Sequence, residues 1–153
     1  MTEEVSYSNL CSDAHGIVTK ILREDSTLKK FTTNIIDGNP VFKSKLTGFP
    51  YILVRTPKRT EEKLTYSNNI NDERRLIILE FPIIIVSRQE RIVREISDKV
   101  LSALKNNQNT TKKYLMYLFG DRIRTVQTEG FLPNSKTYIY TNNLTVPYRV
   151  YLK

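Results

Sequence analysis

The apolar positions at the start of the chain follow a helical period. Leu10, Ala14, Ile17, Val18, Ile21 and Leu22 fall on one stripe, which predicts an amphipathic helix over residues 8–24. Ser8 is placed to cap it and Asp25-Ser26 to end it, while Gly16 weakens it without forbidding it. Leu28, Phe31 and Ile35 extend the pattern toward a short second helix, against which the Thr32-Thr33 pair weighs. Asp37-Gly38-Asn39-Pro40 reads as a turn. Residues 51–56 are rich in aromatic and branched side chains, follow Gly48 and Pro50, and stop at Pro57, which predicts a strand.

Residues 57–73 are polar and charged and read as an exposed excursion, with Leu64 and Tyr66 lending its first part the strand character of a long hairpin arm. An excursion of this length inside a compact domain is usually functional or disordered. The run from Arg74 to Val86 is the most apolar of the chain, as expected of a strand buried on both faces or crossing between environments. Pro82 cannot donate to a ladder, so an edge or a bulge is expected there. Ser87 and Glu90 have the spacing of a capping box. Behind them Ile92, Ile96, Val100, Ala103 and Leu104 predict a second long helix over 88–106. Its other face carries Arg91, Arg94, Glu95, Asp98, Lys99 and Lys105, with Glu95 and Lys99 spaced as an ion pair.

Residues 110–119 suggest a short helix closed by Gly120, followed by strands at 123–128, 137–141 and 145–152. In the last of these Val146, Tyr148, Val150 and Leu152 alternate with Pro147, Arg149, Tyr151 and Lys153, one face apolar and one basic and aromatic. The order of elements describes an α+β fold: a mixed, mainly antiparallel sheet with two long amphipathic helices packed on it. Residues 1–153 read as a single domain with an exposed arm at about 57–73.

Composition narrows the function. The chain of 153 residues is 39% hydrophobic and 26% charged, a globular balance. Its longest apolar run is too short to span a bilayer as a helix, so no membrane partner is expected. The acidic opening Met1-Thr2-Glu3-Glu4 has no apolar region of the signal-peptide kind. Cys11, the one cysteine, excludes an internal disulfide and suits a reducing compartment. The formal charge of +8 favours an acidic partner such as nucleic acid, or simply a soluble surface. The basic doublets at Lys29, Lys58, Arg74 and Lys112 are short, scattered and interleaved with acids.

Candidate chemistry is sparse. His15 is the one histidine and lies four residues after Cys11 on the same predicted helix; the bland reading places both at the margin of packing. Two candidate ligands are too few for zinc. None of the common nucleophile, zinc-protease, phosphate-loop or dinucleotide motifs occurs, so no catalytic residue, metal or cofactor is expected. Glu61, Glu62, Asp72, Glu73 and Glu80 lie near or in the central strands as candidate acids of a metal-dependent nuclease, but Glu61-Glu62-Lys63 lacks the usual spacing, and Glu80 reads as an outward-facing acid at an edge or an arginine partner. Nine tyrosines with dispersed lysine and arginine suit base stacking or protein interfaces.

The central part of the chain resembles the tail-terminator, or tail-completion, family of tailed phages and related archaeal viruses. The resemblance runs from about residue 48 to 106: the strand after Phe49-Pro50, the polar excursion with Glu61-Glu62-Lys63-Leu64-Thr65, the strand segments Arg75–Glu80 and Ile83–Arg88, and the helix from Val93 to Leu104. It implies a structural virion protein without catalytic residues. Such a protein forms a ring, commonly hexameric, at the head-proximal end of the tail tube, stops tube polymerisation and presents a surface to head-completion or neck proteins. DNA passes through the lumen without specific binding. A basic chain then implies that its positive residues face away from that lumen.

On this reading the candidate subunit or partner contacts are Lys58, Arg59, Lys63, Leu64 and Tyr66 on the arm, and Tyr148, Arg149 and Tyr151 on the last strand. The expected partners are further copies of the chain, the tail tube protein and a neck protein, with assembly in the host cytoplasm and residence in the virion neck. The alternative is a basic nucleic-acid-binding protein that uses the same lysines, arginines and tyrosines.

Overall fold

Two long antiparallel strands, β4 (Arg75–Ser87) and β7 (Tyr138–Leu152), form the spine of the molecule. The computed structural model describes residues 9–37, 49–63, 75–132 and 135–152. Before β4 come α1 (Leu10–Glu24), α2 (Ser26–Lys29), β1 (Ile35–Asp37), β2 (Tyr51–Val54) and β3 (Lys58–Lys63). Between β4 and β7 come α3 (Glu90–Asn106), α4 (Gln108–Lys112), β5 (Met116–Leu118), a 3-10 turn at Gly120–Arg122, and β6 (Arg124–Phe131). The result is an α+β fold with a mixed seven-stranded sheet. Among the described residues only β1 and β2 pair in parallel.

Each flank of the spine is shared by two strands. On the β4 side, β3 pairs with Arg75–Glu80 and β2 with Ile83–Val86. On the β7 side, β6 pairs with Tyr138–Thr145 and β5 with Tyr148–Val150. This arrangement explains Pro82, which sits inside the central strand and not at an edge or bulge as its chemistry suggested. Its carbonyl accepts from the Arg55 amide at 3.0 Å, so its side of the backbone faces away from β7, at the gap between β3 and β2. In an antiparallel ladder a residue's N–H and C=O turn the same way. The missing N–H therefore falls where no strand needs it. Pro147 repeats the device on β7: its carbonyl accepts from Phe119 at 2.9 Å, and its nitrogen faces the gap between β6 and β5.

One face of the sheet carries the helices. Ile77, Leu79, Phe81, Ile83 and Ile85 of β4 and Leu144, Val146, Tyr148 and Val150 of β7 point into this core. They meet Leu10, Ala14, Val18 and Leu22 of α1 and Val93, Ile96, Val100 and Leu104 of α3, all buried. Both predicted helical stripes are thus the faces that pack; Ile17 and Ile92 lie at their margins. On the helix-free face a smaller cluster buries Tyr51, Leu53 and Val86.

Several local expectations give way to tertiary context. The first helix starts at Leu10, and Asp25, which ends it, caps α2 by accepting from the Leu28 amide at 2.9 Å. The Ser87–Glu90 capping box does not form. Ser87 belongs to β4, is buried and accepts from the Gln89 amide, and Glu90 pairs with Arg94. Glu95 pairs backward with Arg91 at 3.6 Å, not forward with Lys99. The helix expected at 110–119 stops at Lys112, because Leu115 takes a left-handed conformation (φ 60°) that turns the chain into β5. The last two expected strands are one continuous strand, β7, held straight by pairing along its whole length with β4. The strand character of the polar excursion is found at Lys58–Lys63; Ser8, the turn at 38–40, Leu64 and Tyr66 lie outside the described residues.

Candidate assembly surface

The eight contact residues expected from the sequence do not stand together. Lys58 and Arg59 stand on β3, Lys58 exposed and Arg59 half-buried. Lys63 lies at the end of β3 opposite Arg75, and Tyr151 lies opposite Leu76, but their side chains, like all of Leu64 and Tyr66, are outside the described residues. Tyr148 is a correction. It alternates with Val146 and Val150 on the helix face and is fully buried, edge-on to Phe81 at 5.6 Å. It is a core residue and offers nothing to a partner.

Arg149, one residue on, points to the helix-free face and is half-buried. Its guanidinium lies 4.5 Å from the centre of the Phe119 ring, and that of Arg122 lies 4.8 Å from the same ring. Cation–π attraction offsets part of the repulsion between the two cations. The Arg149 Nε is buried without a hydrogen-bond partner among the described residues. The pairing of β3, β4 and β7 brings Lys58 opposite Glu80 and Glu80 opposite Pro147. Glu80, the single acid in the apolar run, is held by Arg124 at 3.4 Å. Thr60, Ile78, Glu80, Arg122 and Arg124 line a shallow depression of about 410 Å³. The sheet therefore joins Lys58, Arg122, Arg124 and Arg149 on one helix-free face.

A second surface escaped the sequence reading. Among the described residues the exposed large hydrophobic side chains are Leu115, Val126 (58% exposed), Phe131 (67%) and Tyr138 (37%), and the last three share the β6–β7 hairpin. Phe131 packs on Tyr138 at 5.1 Å and Tyr138 on Tyr140 at 5.4 Å, both edge-to-face. Beside them Glu129, Glu90, Arg94 and Gln127 frame a cleft of about 300 Å³ between β6 and the start of α3. Partial desolvation and then the neighbouring Glu129 carboxylate, which also hydrogen-bonds it, raise the Tyr138 hydroxyl above its ordinary pKa. The signal in the sequence is that Val126 and Phe131 obey neither a period of two nor one of 3.6. They belong to no single buried face.

The candidate chemistry resolves into structure. His15 Nε2 meets the Val54 carbonyl at 2.8 Å, tying α1 to β2. Among the described residues no three His, Cys, Asp or Glu side chains converge as metal ligands; Asp72 and Glu73 lie outside them. No described helix is long and apolar enough to cross a membrane.

These elements define a class: an α+β fold with helices on one sheet face, a basic opposite face, and an exposed aromatic hairpin at one edge. No protein-family model matches the chain, and no curated protein matches it. Its fold is similar to that of a chain in a solved structure described as the virion of a native gene transfer agent particle. The TM-score is 0.57 at 16% identity, over 96% of this chain and 100% of that one.

Proposed function

We propose that this chain is a non-catalytic structural subunit of a phage-like virion, and that it acts as a tail terminator. Copies of it form a ring at the head-proximal end of the tail tube, stop tube polymerisation and offer a surface to a neck or head-completion protein. The observation that carries this reading is the end-to-end likeness of fold to a chain of a gene transfer agent virion. The exposed hairpin supports it: a monomer that leaves Val126, Phe131 and Tyr138 on one edge is built for contact. The test is negative-stain electron microscopy and sedimentation of the purified chain, alone and with polymerising tail tube protein. Closed rings that cap the tubes are the expected result. A chain that stays monomeric and leaves tube length unchanged overturns the proposal.

A second reading is favoured by the helix-free face, where Lys58, Arg122, Arg124 and Arg149 gather on a chain of net charge +8. Such a face suits the nucleic-acid backbone, and binding would weaken steeply with salt. Absence of DNA or RNA binding at low salt removes this reading.

A further inference from the structure

The sheet has an open edge on each side of its spine. Among the described residues β6 pairs only with β7, and β3 only with β4. Arg124 to Glu129 of β6 are all exposed. A long, accessible edge strand with few charges is a template for another strand. Among the described residues no strand pairs with its outward N–H and C=O groups, which a neighbouring strand could take up together with the exposed Val126.

We propose that β6 pairs antiparallel with β3 of a second copy of this chain, so that one sheet continues from subunit to subunit. The charges choose the occupant. β6 reads Arg124-Thr-Val-Gln-Thr-Glu129, basic at its start and acidic near its end. β3 reads Lys58-Arg-Thr-Glu-Glu-Lys63, basic at its start and acidic after it. Existing pairings place Arg124, Val126 and Thr128 on the helix-free face, in register with Thr145, Asn143 and Thr141. Lys58 and Thr60 occupy the same face, opposite Glu80 and Ile78. A continuous antiparallel sheet keeps faces matched, and of the registers this allows the proposal takes the one that sets Val126 opposite Thr60. Arg124 then lies opposite backbone position 62, well away from Lys58, and Glu129 lies diagonal to Arg59. Opposite charges meet where Glu129 approaches Arg59. Arg124 has donors to spare beyond its Glu80 contact. Running the two strands in parallel sets Arg124 against Lys58. Pairing β6 with another β6 in a face-matched register puts Arg124 opposite Thr128 or Gly130, with no charge to meet.

Because the two edges differ, the contact is heterologous and repeats head to tail, which closes a ring or extends a filament. It rests on the self-assembly reading above. The test uses the full chain with Cys11→Ser as background and cysteines at Val126→Cys and Thr60→Cys, on opposing positions whose spacing suits a disulfide. Sedimentation and non-reducing gels follow mild oxidation. The double variant is expected to give a ladder of linked multimers, and each single variant none. Assembled particles without cross-links overturn the strand pairing and leave the assembly reading standing. Linked dimers from Val126→Cys alone overturn it in favour of β6–β6 pairing. A chain that never assembles, even with tail tube protein, overturns both. Where the cysteines disturb folding, Glu129→Lys serves instead: assembly is expected to weaken up to about fivefold, the order of one exposed cross-strand charge pair, and to recover with Arg59→Glu. Failure of that rescue overturns the pairing.

Discussion

Asn142 of the central sheet donates from Nδ2 to the Ser97 hydroxyl of α3 at 2.7 Å, across a boundary that is otherwise apolar. Ser97 in turn donates to the Val93 carbonyl at 2.7 Å, and both side chains are buried. The Asn142 Oδ1 has no partner among the described residues. Losing one member of a buried pair leaves a desolvated group behind, whereas removing both is milder. Ser97→Ala is therefore expected to cost about 1–3 kcal/mol. Ser97→Ala with Asn142→Leu should cost less than the sum of the two single changes. Urea denaturation of the four-member cycle measures the coupling.

Pro82 and Pro147 test the argument about strand gaps. Both nitrogens face positions where the flanking strand changes, so neither removes a bond between β4 and β7. Pro82→Ala is expected to change stability by less than about 1 kcal/mol. Moving the proline one residue, as Ile83→Pro, takes a donor from the β4–β7 ladder, buries a ring where a branched side chain packed, and should cost about 3 kcal/mol or more. Thermal and urea unfolding separate the two. Equal effects would refute the assignment of ladder sides.

Burial pushes the Tyr148 hydroxyl, which has no hydrogen-bond partner among the described residues, well above its ordinary pKa of 10.0, and burial raises Tyr51 as well. A folded pKa above the unfolded one means that the neutral phenol is favoured by folding. Its contribution is complete below pH of about 10 and is lost as pH rises from there toward the folded value. Tyr148→Phe removes both the orphaned hydroxyl and one titrating group. It should leave stability at neutral pH unchanged or slightly higher. Above pH of about 10 it should reduce the slope by about 1.4 kcal/mol per pH unit. Denaturation curves between neutral and strongly alkaline pH check both statements.

The Glu80–Arg124 ion pair spans β4 and β6 at 3.4 Å, with side chains 34% and 68% exposed. Solvent screens such a pair, so Glu80→Gln is expected to cost less than about 1 kcal/mol. The difference should vanish at high salt. A large, salt-insensitive loss would mean that Glu80 carries more than this contact.

Phe131 packs edge-on against Tyr138 and is 67% exposed. Phe131→Ser should leave the monomer's unfolding free energy within about 0.5 kcal/mol. Assembly measured by sedimentation should weaken, since an exposed aromatic at an interface is a principal anchor. Unchanged assembly would place the subunit contact away from the hairpin tip.

Much of the fold was legible because its two long helices and its longest apolar strand carry strong periodic or continuous patterns, and burial of those faces is a near-local property. Leu10 to Leu22 and Ile96 to Leu104 could pack in few other ways. The same holds for Glu80, whose lone charge in an apolar run called for an outward place at an edge or an arginine partner, and which in a central strand takes the partner, Arg124. The capping box, the Glu95 pair and the helix at 110–119 were misread because each rests on which neighbour wins a choice between equivalent local partners. Ser87 was claimed by a strand, Glu95 by Arg91, and Leu115 by a turn.

The sequence by itself determined the α+β class and the faces of the long helices, because period and hydrophobicity act within a few residues; Tyr148, read both as part of an alternating apolar row and as a contact, was placed in the core only by the structure. Only the tertiary structure decided that two prolines sit harmlessly in central strands, that Arg122 and Arg149 share one ring, and that Val126, Phe131 and Tyr138 stand exposed on one edge. Those outcomes depend on strand order, and strand order is set by pairing between segments far apart in the chain.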